Sequence, residues 1–121
     1  MEVHQISFAK ICILNSNCAE ITVNPGVDID LQMIDEIHQF LLSQFNHSFS
    51  LLINKSNAYS TQLDALIQFG TLSEIDKIAV FAPNKLAKMS ADFSASIPSS
   101  SKLNIDVFTE RDDAFDWITL K

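Results

Sequence analysis

Along residues 19–24, AEITVN, the apolar Ile21 and Val23 alternate with Glu20, Thr22 and Asn24, the two-residue period of a strand with one buried and one wet face. The preceding stretch QISFAKICIL, residues 5–14, also reads as a strand. Its phase breaks near Lys10, where Ile6 and Phe8 give way to Ile11 and Ile13, so a bulge or bend is expected there. NSN at 15–17 joins the two as a tight hairpin, and PGVD at 25–28 ends it. The period then becomes helical in DIDLQMIDEIHQFLLSQF, residues 28–45. Asp30 is placed to cap the helix, Ile29 and Ile34 to staple its entry, and Ile34, Ile37, Leu41 and Phe45 to form its buried face.

FSLLIN at 49–54 and KIAVFA at 77–82 are short continuous apolar runs, which predicts central parallel strands covered on both faces. LNIDVF at 103–108 alternates cleanly, with Leu103, Ile105 and Val107 inward and Asn104 and Asp106 outward, as at a sheet edge. Helices are predicted over about 61–69, stopped by Gly70, over 84–95, and over 110–118, opened by Thr109. The order ββαβαβαβα gives an α/β fold: a mixed, mainly parallel five-stranded sheet with four helices, in one domain spanning 1–121. SASIPSSSK at 94–102 reads as a surface loop within that domain.

Composition narrows the function classes. With 47% hydrophobic and 19% charged residues, and nine Phe, a chain of this length buries a core without disulfides or metals. A net charge of −7 without a Lys/Arg cluster argues against nucleic acid and anionic membrane surfaces as partners. The N-terminal stretch lacks a leader pattern and no segment has the apolar length of a membrane span, so a cytoplasmic location is expected. Cys12 and Cys18 flank the hairpin turn out of register, and are read as reduced packing thiols. Only Gly26 and Gly70 are present, so no glycine-rich phosphate cradle exists, and His4, His38 and His47 have no ligand spacing. No cofactor or metal is expected. Glu110, Asp112 and Asp113 are read as charges complementing the start of the last helix rather than as an acid-base pair. No nucleophile motif is found, so an enzyme is not expected.

The segments IDKIAVFAPNKLAKMSADFSASI and LNIDVFTERDDAFDWI carry a resemblance. Ala79-Val80 in a strand, Met89 and Phe93 on the next helix, Phe108-Thr109 before the acidic helix, and Ala114, Trp117 and Ile118 upon it resemble the bacterial SpoIIAA-like proteins of the STAS and CRAL-TRIO kind. The wording matches over about the last 45 residues, and the element order over nearly the whole chain. The resemblance implies a SpoIIAA-like fold and a non-enzymatic regulatory or protein-interaction module. Through CRAL-TRIO it implies, alternatively, a carrier or sensor of a small apolar or anionic, lipid-like ligand.

STAS anti-sigma-factor antagonists are switched by phosphorylation of a Ser in Asp-Ser-[Ser/Thr]-Gly at a helix start. The corresponding residues here are Tyr59, Ser60, Thr61 and Gln62, which keep only the hydroxyls. Ser60 is therefore read as an N-cap, with phosphorylation of Ser60 or Thr61 as the alternative. The loops at 54–60, 82–85 and 108–110, with Asn54, Tyr59, Pro83, Asn84, Lys85 and Thr109, are either ordinary junctions or the rim of a shared ligand pocket.

Overall fold

Alternation on the strands and a monotonic strand order together create two unlike faces. The computed structural model describes residues 2–95 and 104–119. The loop expected over 94–102 lies outside the described residues from 96 onward, as does Leu103. The main sheet runs in the order β1 (Glu2–Gln5), β2 (Ala9–Asn15), β3 (Cys18–Val23), β5 (Phe49–Asn54), β7 (Ile75–Phe81) and β8 (Asn104–Phe108). The first three strands pair antiparallel and the rest parallel. Helices α1 (Leu31–Gln44), α2 (Leu63–Phe69) and α3 (Lys85–Ala95) are the crossovers, and α4 (Arg111–Thr119) ends the described chain. The two-residue strands β4 (Asp28–Ile29) and β6 (Ser60–Thr61) pair parallel outside the main sheet, each just before a helix.

The main sheet therefore has six strands where five were expected. The break of phase near Lys10 is not a bend in one strand. Residues 2–5 and 9–15 form separate antiparallel strands, and the turn between them is closed by the Ile6 amide and the Gln5 side chain, both donating to the Ala9 carbonyl. A bulge does occur further on, at Leu14, so that Cys18 faces Asn15 and Cys12 faces Glu20. Both cysteines are buried free thiols.

Each parallel step moves one strand in the same direction, so right-handed crossovers put all three connecting helices on one face. Phe49, Leu51 and Ile53 of β5 point to that face, where Ile34, Ile37 and Leu41 of α1 meet them; Leu52 points to the other, against Ala114 and Ile118 of α4. Asp30 caps α1 as expected, its carboxylate accepting from the Met33 amide, and Ile29 and Ile34 are both buried at the helix entry. The two continuous apolar runs are the central strands β5 and β7, and Ile105 and Val107 of edge strand β8 pack inward. Gly26 takes φ +80°, the conformation that Pro-Gly needs in a type II turn, and its amide donates to Ala58.

The face of β3 expected to be wet is covered. Glu20 is buried beneath the start of α4, where Arg111 and Asn54 reach its carboxylate. That helix begins at Arg111 rather than at Thr109 or Glu110; Glu110 supplies the carbonyl for the Ala114 amide, and Asp112 and Asp113 occupy the first turn. No helix among the described residues is long and apolar enough to cross a membrane.

Candidate functional site

The cavity on the α1–α3 face originates in how α3 is written. Ala87 and Ala91, four residues apart, face the sheet, whereas Leu86, Met89 and Phe93 are exposed at 76%, 61% and 63%. A helix that turns methyl groups inward cannot fill the space that leucines would fill. What remains is a cavity of about 90 Å³ between the sheet and the helices, walled by Ile53, Val80 and Ile105 from strands, Ile37 from α1, Phe69 from α2 and Ala91 from α3. The β4–β6 pair closes one side through Ile29 and Thr61.

Three lining residues are polar: Lys55, Tyr59 and Thr61. Lys55 continues the inward parity of Phe49, Leu51 and Ile53, and its amide donates to the Phe81 carbonyl, which extends the β5–β7 ladder and fixes its direction. Its ammonium lies 4.1 Å from the centre of the Tyr59 ring. Burial pushes the Lys55 ammonium below its ordinary value and the Tyr59 hydroxyl above its own. No carboxylate among the described residues forms an ion pair with Lys55.

Behind the Phe69 wall lies His38, buried on α1 and stacked on the Phe69 ring at 5.7 Å and 23°. Its Nε2 has no hydrogen-bond partner among the described residues. Burial pushes the imidazole below its ordinary value, against the Phe69 backbone and the charges of Asp35 and Glu74, which pull the other way. On the opposite face, burial would push the Glu20 carboxyl up. Hydrogen bonds from Arg111 at 2.5 and 3.0 Å and from Asn54 at 2.9 Å, with the positive charges of Arg111 and Lys10, outweigh it and hold the group below its usual range.

The expected rim residues are not brought together. Tyr59 lines the cavity, but Asn54 points to the α4 face and binds Glu20. Pro83, Asn84, Lys85 and Thr109 are exposed and do not line it; Asn84 caps α3 by accepting from the Ala87 amide at 2.9 Å. The monotonic order of the parallel strands explains this, because it lacks the reversal at which a crevice opens beyond strand ends.

Ser60 is not an N-cap. It lies in β6, its hydroxyl donates to Asp28 at 2.7 Å, and Gln62 holds the cap position of α2 without a side-chain hydrogen bond. The cause is the pairing with β4: Ser60 sits opposite Asp28 in register, so its side chain turns across the strands instead of toward the helix amides. Gln62 also donates to Asp28, and the Gln62 and Ser60 hydrogen bonds together hold that carboxyl below its usual range. Thr61, the other phosphorylation candidate, lines the cavity. Among the described residues no cluster of His, Cys, Asp and Glu suits a metal ion.

No family model matches the chain, and no curated protein matches it. Among solved structures it is similar to an uncharacterized protein of the DUF3478 family with a SpoIIAA-like fold from Shewanella loihica PV-4. The TM-score is 0.65 at 14% identity, over 95% of this chain and 97% of that one. The chain thus has a SpoIIAA-like fold.

Proposed function

We propose that this protein is a non-enzymatic binding domain that takes a small, largely apolar ligand into the cavity between the sheet and α1, α2 and α3. The observation that carries this reading is a cavity of about 90 Å³ with an almost wholly aliphatic wall and its few polar groups gathered at Lys55, Tyr59 and Thr61. Ligand sites commonly combine an apolar wall with a few convergent polar groups. The volume is below the ~150 Å³ of an engineered cavity that accepts benzene, which sets the scale at a short aliphatic chain. Among the described residues no carboxylate, imidazole or thiol lines it to move protons or attack a substrate, which favours binding over catalysis.

Titration of the ¹⁵N-labelled protein with 1-pentanol tests the reading. Amide shifts are expected at Ile53, Val80 and Ala91, and Ala91→Leu is expected to abolish them by filling the space. Shifts absent at these positions, or undiminished in Ala91→Leu, count against a cavity ligand.

A second reading, a protein-interaction module of STAS type, draws on the exposed stripe of Leu86, Met89 and Phe93 on α3. Leu86→Glu with Met89→Glu is expected to abolish partner binding under this reading while leaving pentanol binding intact.

A further inference from the structure

We infer that the cavity ligand is a short-chain aliphatic monocarboxylate, its chain held among Ile53, Val80 and Ile105 and its carboxylate held by Lys55. The inference rests on the cavity reading above and adds the chemistry of the head group. The chain as a whole carries a net charge of −7, yet Lys55 is half-buried at the cavity without forming an ion pair among the described residues. Among the described residues its ammonium sits over the Tyr59 ring, which attracts a cation through its face but leaves the ammonium's hydrogen-bonding capacity for an anion. Tyr59 and Thr61 line the same cavity, and each carries a hydroxyl able to donate.

One lysine with two hydroxyls suits a single carboxylate. A phosphate dianion is more often met by bidentate Arg, and no Arg among the described residues lines this site. A cationic head group would face Lys55 directly, and a neutral one would leave that charge uncompensated. By proportion with benzene in ~150 Å³, the volume suits a tail of roughly four carbons.

The experiment compares pentanoate, 1-pentanol and pentylamine on the same protein at pH 7 by amide-shift titration, with Lys55→Met and Lys55→Gln as variants. Pentanoate is expected to bind at least about tenfold more tightly than pentanol, as a charge-assisted hydrogen bond provides. Pentylamine is expected to bind most weakly. Both variants are expected to lose the preference for pentanoate while keeping pentanol binding, which also shows that they remain folded. Pentanol binding as well as pentanoate to the wild type, or a preference that survives in either variant, overturns the carboxylate and leaves the cavity reading standing. Binding of none of the three overturns both.

Discussion

On the α4 face of the sheet, a buried Glu20 holds three hydrogen bonds and Ala114 packs with no exposed surface. On the opposite face, and among the described residues, the buried His38 keeps one nitrogen without a partner, Lys55 is unpaired by any carboxylate, and a cavity stands beside Ala91. The same strands supply both faces, so the difference does not come from the sheet. It comes from what each covering helix carries. Helix α4 brings a guanidinium, two aromatic rings and apolar groups to the residues beneath them. Helix α3 brings alanines inward and leaves its large apolar groups exposed. Where polar groups are satisfied and space is filled, a substitution can only lose; where they are not, some substitutions are expected to gain.

The largest effect is expected at the clasp. Arg111→Ala removes two of the three hydrogen bonds on Glu20 and leaves a buried carboxylate with only Asn54. Removing one partner of a fully buried pair costs about 3–5 kcal/mol. Because the Arg111 side chain is itself 40% exposed, roughly 2–4 kcal/mol is expected in urea unfolding at pH 7. The sign with pH is defined. The folded carboxyl of Glu20 lies below its unfolded value of 4.5, so the stability it contributes is present above that pH and is lost as pH falls through the folded value. The penalty of Arg111→Ala is therefore expected to shrink on acidification, since a protonated Glu20 leaves no charge stranded. A penalty constant down to pH 3 would place the loss in packing instead.

One substitution made on both faces sharpens the contrast. Ala114→Leu forces extra methyl groups into a filled contact and is expected to cost about 1–3 kcal/mol. Ala91→Leu places the same groups in the cavity and is expected to be neutral or stabilising by up to about 1 kcal/mol. Thermal unfolding of the two variants checks both signs at once. Equal losses would mean that the cavity cannot accept a side chain in an ordinary rotamer.

How much of this asymmetry the residues announce depends on the range of the interaction involved. The two faces of β5 follow from alternation alone, and the same alternation extends to Lys55, whose parity with Ile53 points it toward the cavity. Parity thus marks Lys55 for the cavity, whereas the positions of Pro83 and Asn84 at strand ends carry no such signal. The burial of Glu20 carried no such local mark. Its partner Arg111 lies 91 residues away, and alternation around Glu20 is the same whether its face meets water or a helix. Helix α3 shows the limit of periodicity: Leu86, Met89 and Phe93 form an apolar stripe, yet it is exposed, and Ala87 and Ala91 are the residues that turn inward. The phase break near Lys10 was legible as an irregularity. Whether it marked a bend or a turn between two strands depended on pairing of residues 2–5 with 10–13.

His38, whose Nε2 finds no partner among the described residues, gives a smaller, pH-dependent effect. His38→Leu removes the nitrogen that has no partner but also the stacking on Phe69, so a net change of about 0–1 kcal/mol in favour of the variant is expected at pH 8. Burial holds the folded imidazole below its unfolded value of 6.5, so the unfolded chain takes up a proton first and the wild type loses stability as pH falls below about 6.5. The variant lacks that loss. Its advantage is expected to grow between pH 7 and pH 5; an advantage independent of pH would show that His38 does not titrate differently on folding.

Ser60 is where the smallest effects are expected, and where their order discriminates. A helix cap tolerates Asp as well as Ser, because a carboxylate also accepts from the first-turn amides and suits the positive end of the helix. The observed hydroxyl does the reverse: it donates, and its acceptor is the carboxylate of Asp28. Ser60→Ala forfeits one exposed hydrogen bond, whereas Ser60→Asp forfeits the same bond and sets two carboxylates against each other across β4 and β6. Asp is therefore expected to lower the unfolding temperature more than Ala, by a margin that narrows in high salt and as pH falls and the carboxylates protonate. A phosphate on Ser60 would meet the same repulsion with greater charge, and is expected to loosen the β4–β6 pair that closes the cavity at Ile29 and Thr61. Thermal unfolding of the two variants at low and high salt decides the matter: Ser60→Asp as stable as the wild type, or more so, would restore the helix-cap role and remove any coupling between charge at Ser60 and the cavity.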